Sequence, residues 1–184
     1  VYGIDMPAAT RRGIPVGHTP GVLVDSTADL AVALMLASTR RIAEADQWVR
    51  ESQWTQGWQS DLLLGTDISQ ATVGLVGLSP IGEAVARRLR GFGCKLVGWN
   101  RTPRVIEDVE PMALDQVFEQ ADVVSLHTAL TEETRHIASR ERLALMRTGA
   151  TLINTGRGLL VDEHALIDEL GSGRLRAGLD VFRE

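Results

Sequence analysis

The sequence predicts an α/β fold built on a doubly wound parallel sheet. Three observations lead there. From residue 72 onward, short runs that are apolar throughout recur along the chain. Segments with helical spacing separate them. The first strand-like run is joined to its helix by a glycine-rich turn. Strands without polar alternation are covered on both faces, and right-handed crossovers then place helices on both sides of the sheet.

The elements follow in order. The segment 1–24 carries Gly or Pro at 13, 15, 20 and 21; GIPV (13–16) reads as a strand entry and TPG (19–21) as a turn. Ser26 and Asp29 read as a capping box before one long helix over roughly 27–51, apolar nearly all round at 30–37. The stretch 53–67 has no clear periodicity. It carries Trp54, Trp58 and three leucines at 62–64, with Trp48 just upstream. TVGLVG (72–77) is a strand run. Ile81, Val85, Leu89 and Phe92 fall at helical spacing, and KLVGWN (95–100) is a second strand. Leu114, Val117, Phe118 and Ala121 mark a short helix, followed by a strand at DVVSLH (122–127). Ser139 caps a helix to about Arg147, and TLINT (151–155) is a strand. Asp162 caps a helix stopped by Gly171, and LRAGLDV (175–181) is the last strand.

Composition narrows the classes. The chain has 184 residues, 44% apolar and 23% charged, which suits a domain with a real core. Its longest strongly apolar run, AVALMLA (31–37), is too short for a transmembrane helix, and no charged-then-apolar leader opens the sequence. A single cysteine, Cys94, excludes a disulfide framework and an all-cysteine zinc site and points to a reducing cytoplasm; no metal site is expected. A net charge of −5 without a basic block argues against nucleic acid and anionic membranes. The chain begins at Val1 rather than Met and stops at Glu184 directly after a strand, so both ends read as cuts.

The run 74–89 places Gly77, Ser79 and Gly82 between a strand and a helix, the position of a dinucleotide-binding turn. Gly77 permits the tight turn and Gly82 permits close packing of helix on strand. Ser79 stands where a glycine usually lets a pyrophosphate approach. It suits an N-cap, Pro80 suits the first helical position, and the hydroxyl can donate to a phosphate oxygen at the positive helix end. Ile81 continues the turn. The second strand ends on Asn100, 23 residues past Gly77, followed by Arg101, Thr102 and Arg104, with no carboxylate before Glu107. An acid there binds the ribose 2′-hydroxyl of NAD; arginines and hydroxyls suit a 2′-phosphate. These residues predict a Rossmann-like domain that prefers NADPH, with NAD possible.

Taken together, these motifs resemble the D-isomer-specific 2-hydroxyacid dehydrogenases, nearest the glyoxylate and hydroxypyruvate reductase branch. The segment 8–42 resembles the bridge between that family's substrate and nucleotide domains, and 54–82 its dimer arm running into the glycine turn. NRT (100–102) resembles the NADP-selecting turn. HTALTEET (127–134) resembles the loop after the fourth strand, where Pro usually stands at the position of Ala129. INTGRG (153–158) and AGLDVF (177–182) resemble its diagnostic blocks.

The resemblance implies a substrate-domain remnant over 1–24 and a dinucleotide-binding domain over 25–184. It implies a homodimer and a reductase that passes a hydride from NADPH to a small 2-oxo acid such as glyoxylate or hydroxypyruvate. Arg157 matches the catalytic arginine that grips the substrate carboxylate and polarises the 2-oxo group. Its place in a glycine-flanked loop beyond a strand end agrees with that role. Asp180 matches the residue that holds the nicotinamide carboxamide. His127, Thr155 and Gly156 match positions lining the cofactor. The family's catalytic Glu would fall one position past Glu184, and none of the four histidines matches its proton donor. A short-chain dehydrogenase is excluded, since Tyr2 and Lys95 are the sole Tyr and Lys. The alternative from another class is a dinucleotide-sensing, corepressor-like binding protein on the same fold without turnover.

Overall fold

The computed structural model of the chain describes residues 3–55 and 57–183. Val1, Tyr2, Gln56 of the arm and Glu184 lie outside the described residues.

Six parallel strands form one sheet: β1 (Thr72–Val76), β2 (Lys95–Trp99), β3 (Val109–Pro111), β4 (Val123–Leu126), β5 (Thr151–Asn154) and β6 (Arg176–Leu179). Their order is β3-β2-β1-β4-β5-β6. β1 aligns Thr72 with Lys95 on one side and Val73 with Val123 on the other. The order reverses between β1 and β4, and that reversal opens a crevice beyond their carboxyl ends.

Helices cover both faces. Val73 and Leu75 of β1 join Ala31 and Met35 of α2 (Val24–Thr39) and Val85 and Leu89 of α4 (Pro80–Leu89) in one core. Val76 turns to the opposite core, shared with Phe118 of α5 (Leu114–Gln120), Leu143 of α6 (Arg140–Leu145) and Leu166 of α7 (Glu163–Gly171). This division follows from the two-residue period of a strand with both faces buried. The expected caps form at Ser79, Ser139 and Asp162, whose side chains accept from the backbone N–H of Gly82, Arg142 and Ala165.

Three expectations are corrected. GIPV (13–16) forms no strand; a short helix, α1 (Met6–Arg11), precedes it, and Asp5 caps that helix by accepting from Ala8 N–H. The Ser26/Asp29 capping box is not made, because α2 starts earlier, at Val24. Ser26 Oγ instead donates to the Leu23 carbonyl, and the Asp29 carboxylate meets Arg88 of α4. The single long helix is two: α2 stops at Thr39, and α3 (Ile42–Arg50) begins after Arg41, which takes a left-handed φ of 54°. The Thr39 carbonyl accepts from Thr66 N–H rather than continuing the helix, so a distant segment sets the break.

Candidate active site

The crevice is built from four loops at the carboxyl ends of the strands. The first is the turn after β1. Gly77 sits at φ +103°, and a Cβ there would lie 2.8 Å from the backbone of His127 and Thr128. A Cβ on Gly82 would lie 2.2 Å from the Gly77 carbonyl oxygen. Both glycines are therefore required by the chain's own packing, which brings the N-terminus of α4 against the ends of β1 and β4. Ser79 is more committed than its sequence position suggests. Its Oγ accepts from Gly82 N–H and donates its one hydrogen to the His127 carbonyl at 2.9 Å. The hydroxyl thus ties the turn to β4, while Ser79 borders both spaces of the crevice. Pro80 opens α4 and Ile81 faces the cleft.

The loop after β2 braces that turn. Asn100 Oδ1 accepts from Leu78 N–H, and its Nδ2 donates to the Thr102 carbonyl. Arg104 donates to the Leu78 carbonyl and pairs with Glu83 at 2.5 Å. Arg101 pairs with Glu133, 2.6 Å away on the turn after β4. Asn100, Arg101 and Thr102 line a pocket of about 150 Å³ with Gly77 and Trp99; Arg104 lies outside it.

A larger cleft of about 460 Å³ lies on the other side of Ser79. Ile81, Leu126, His127, Thr155, Gly156 and Arg157 line it, with Thr27 of α2 and Leu23 just before that helix closing one wall. Ser79, His127, Thr128 and Ala129 border both spaces. The groove is thus two-lobed with a shared waist.

Asn154 shapes the loop after β5: its Oδ1 accepts from Gly156 N–H and its Nδ2 donates to the Arg157 carbonyl. Arg157 projects at the rim, with one guanidinium N–H on the Gly156 carbonyl. Asp180 is exposed just past β6 and lines neither space; its N–H donates to the Asn154 carbonyl. Sequence reading passed over Thr128, Leu130, Thr131 and Thr134, although the rule that ligands bind where strand order reverses points to the loop after β4. Leu23 and Thr27 reach the cleft only through tertiary packing and left no local signal.

His127 is buried, and neither ring nitrogen has a hydrogen-bond partner among the described residues; Thr128 Oγ1 shares that condition. Burial pushes the His127 imidazole down to about 4. The ring is therefore neutral near pH 7, one nitrogen donating and one accepting. Unpartnered buried polar atoms on the waist of a two-lobed groove suit a polar, dinucleotide-shaped ligand.

The same burial carries a stability prediction. The unfolded chain protonates this histidine near 6.5, the folded chain only near 4, so stability falls as pH drops through that interval. Between pH 7 and pH 5 the chain should lose about 2 kcal/mol more than a His127→Asn variant. Urea midpoints at the two pH values measure it, and parallel losses would refute it.

With the geometry in place, the comparisons decide the family. Residues 32–184 match the sequence profile described as D-isomer specific 2-hydroxyacid dehydrogenase, NAD binding domain. The chain belongs to this family. A glyoxylate reductase of Korarchaeum cryptofilum is 46% identical over 188 residues, covering 98% of this chain and 56% of that protein. A solved protein of Thermus thermophilus is 48% identical with a TM-score of 0.94, covering 99% of this chain and 58% of that one. An acyclic imino acid reductase solved in complex with NADPH and D-Arg is 31% identical with a TM-score of 0.88, covering 98% and 58%. The chain thus spans a little over half the length of these relatives. The matched domain is one that binds a nicotinamide dinucleotide, and the fold agrees with the sequence expectation of a Rossmann-like sheet. Among the described residues no helix is long and apolar enough to cross a membrane.

Proposed function

We propose that the whole protein reduces a small 2-oxo acid, such as glyoxylate or hydroxypyruvate, to the D-2-hydroxy acid with NADPH. The observation that carries this reading is the position of Arg157, at the rim of the larger cleft and one residue past Gly156 at the end of β5. A guanidinium there offers a planar fork to a carboxylate and positive charge to an oxyanion. The bound nicotinamide supplies the hydride. Gly77, Ile81, His127, Thr155 and Gly156 would hold the dinucleotide along the groove. Pro80 and Gly82 would shape the turn; Asp180, which the resemblance matches to the carboxamide-holding position, stands outside both lobes. His127 would accept or donate one hydrogen bond and stay neutral, so the proton that completes reduction comes from another acid. The relatives named glyoxylate reductase support this reading over a binding protein without turnover. Its test is NADPH oxidation by the whole protein with glyoxylate and hydroxypyruvate; cofactor binding without turnover of either acid or of another small 2-oxo acid would refute it.

NADPH is the preferred cofactor on this reading, because Arg101 and Thr102 border the smaller lobe where a carboxylate would repel a 2′-phosphate. The residues 1–24 would belong with the substrate domain, and the protein would act in the cytoplasm.

A homodimer through the arm at about 48–67 belongs to the same proposal. Trp54, Trp58 and Leu64 are 57%, 87% and 62% exposed, so these three side chains do not cover this chain's own core. Large apolar side chains exposed together mark contact surfaces, and Trp is enriched in interface cores. Light scattering on the whole protein should give twice the chain mass at micromolar concentration; a monomer would refute the arm's role.

A further inference from the structure

The smaller lobe of the groove has two walls. The loop after β2 supplies Asn100, Arg101 and Thr102; the turn after β4 supplies Thr131 and Thr134. Among the described residues one ion pair joins the walls: Arg101 Nη1 lies 2.6 Å from Glu133 Oε2. The turn that carries Glu133 is fixed. Thr131 N–H donates to Thr134 Oγ1 at 2.8 Å, and Thr134 Oγ1 donates to the Ala129 carbonyl at 2.6 Å. The two paired side chains remain 62% and 71% exposed, so the bond itself is exchangeable. Asn100 is committed to Leu78 and Thr102, and Arg104 to Leu78 and Glu83, which leaves Arg101 and the Thr102 hydroxyl facing the lobe. A dianion entering this lobe therefore meets an Arg101 that already holds a carboxylate.

We propose that Glu133 is a specificity-determining residue of the cofactor site, because its carboxylate competes with a ligand's 2′-phosphate for the Arg101 guanidinium. This rests on the reading that the lobe takes the phosphorylated ribose. Binding a 2′-phosphorylated dinucleotide exchanges one Arg101 ion pair for another and leaves Glu133 facing a dianion. A dinucleotide with a free 2′-hydroxyl leaves the Arg101–Glu133 pair intact. Glu133 thus lowers the preference for NADPH without touching the nicotinamide half of the groove.

The test uses the whole protein and three variants, Glu133→Gln, Arg101→Ala and the double substitution, titrated with NADPH and NADH by fluorescence. Both positions are exposed, so folding is not at stake. Glu133→Gln should tighten NADPH about two- to fivefold, the range an exposed ion pair carries, and leave NADH unchanged. In the Arg101→Ala background the Glu133→Gln change should do nothing to NADPH. Unchanged or weaker NADPH binding by Glu133→Gln overturns the proposal. So does equal tightening in the Arg101→Ala background, which would mean a diffuse field rather than competition for one guanidinium. If Arg101→Ala selectively weakens NADPH while Glu133→Gln has no effect, the role of Glu133 fails and the NADPH reading stands. If Arg101→Ala weakens NADPH and NADH alike, the NADPH reading fails and takes the proposal with it.

Discussion

Arg157→Ala in the whole protein should lower kcat by about 10²–10³-fold, the usual loss when a donor to a developing oxyanion is removed. Its affinity for NADPH should change little, because the side chain stands at the rim of the larger cleft, not on the waist between the lobes. Apart from the guanidinium's own bond to the Gly156 carbonyl, the backbone around it has other holds. Asn154 grips Gly156 N–H and the Arg157 carbonyl, and the 3₁₀ turn Gly158–Leu160 follows directly. Truncating the side chain therefore leaves the loop in place. Arg157→Lys should also be poor, since a point charge cannot replace a planar fork on a carboxylate. Steady-state kinetics with glyoxylate, alongside fluorescence titration with NADPH, separates the two effects. A variant that keeps its kcat/KM would remove Arg157 from the chemistry. One that loses NADPH affinity in step with activity would make it a cofactor residue instead.

The second large effect concerns the cofactor. Arg101→Ala should weaken NADPH by about 1.5–3 kcal/mol, roughly ten- to hundredfold, with little change for NADH. The size follows from losing a charged hydrogen-bond partner of the 2′-phosphate. Asn100 cannot substitute, since its Oδ1 braces the glycine turn at Leu78 and its Nδ2 holds the Thr102 carbonyl, and Arg104 is drawn toward Glu83. Arg101→Asp should go further and reverse the preference, placing a carboxylate where an NAD site has one. Equal affinities of the unaltered chain for the two cofactors would contradict this account of the lobe.

How far the sequence reveals these features depends on what fixes each element. β1, β2, β4 and β5 are mostly buried on both faces, so their apolar runs announce them, whereas β6 lies at the sheet edge, half-buried, and starts on Arg176. β3 is three residues at the sheet edge, ending on Pro111, and has no run long enough to read. The division of α2 from α3 was invisible because neither Gly nor Pro marks it. Thr66 N–H takes the Thr39 carbonyl, and a Cβ on Gly65 would lie 2.5 Å from that same oxygen. The glycine turn was readable as a motif, whereas the bonds of Ser79 and Asn100 depend on partners 48 and 22 residues away. The same holds for Glu133, whose importance rests on a pairing across 32 residues.

The central claim is that the two-lobed groove between β1 and β4 is a nicotinamide-dinucleotide site. The most direct measurement is a titration of the folded chain with NADPH, following tryptophan emission, since Trp99 borders the smaller lobe. The account predicts saturable binding of one NADPH per chain, weakened by Arg101→Ala. A folded chain that shows no saturable binding of NADPH or NADH would contradict it.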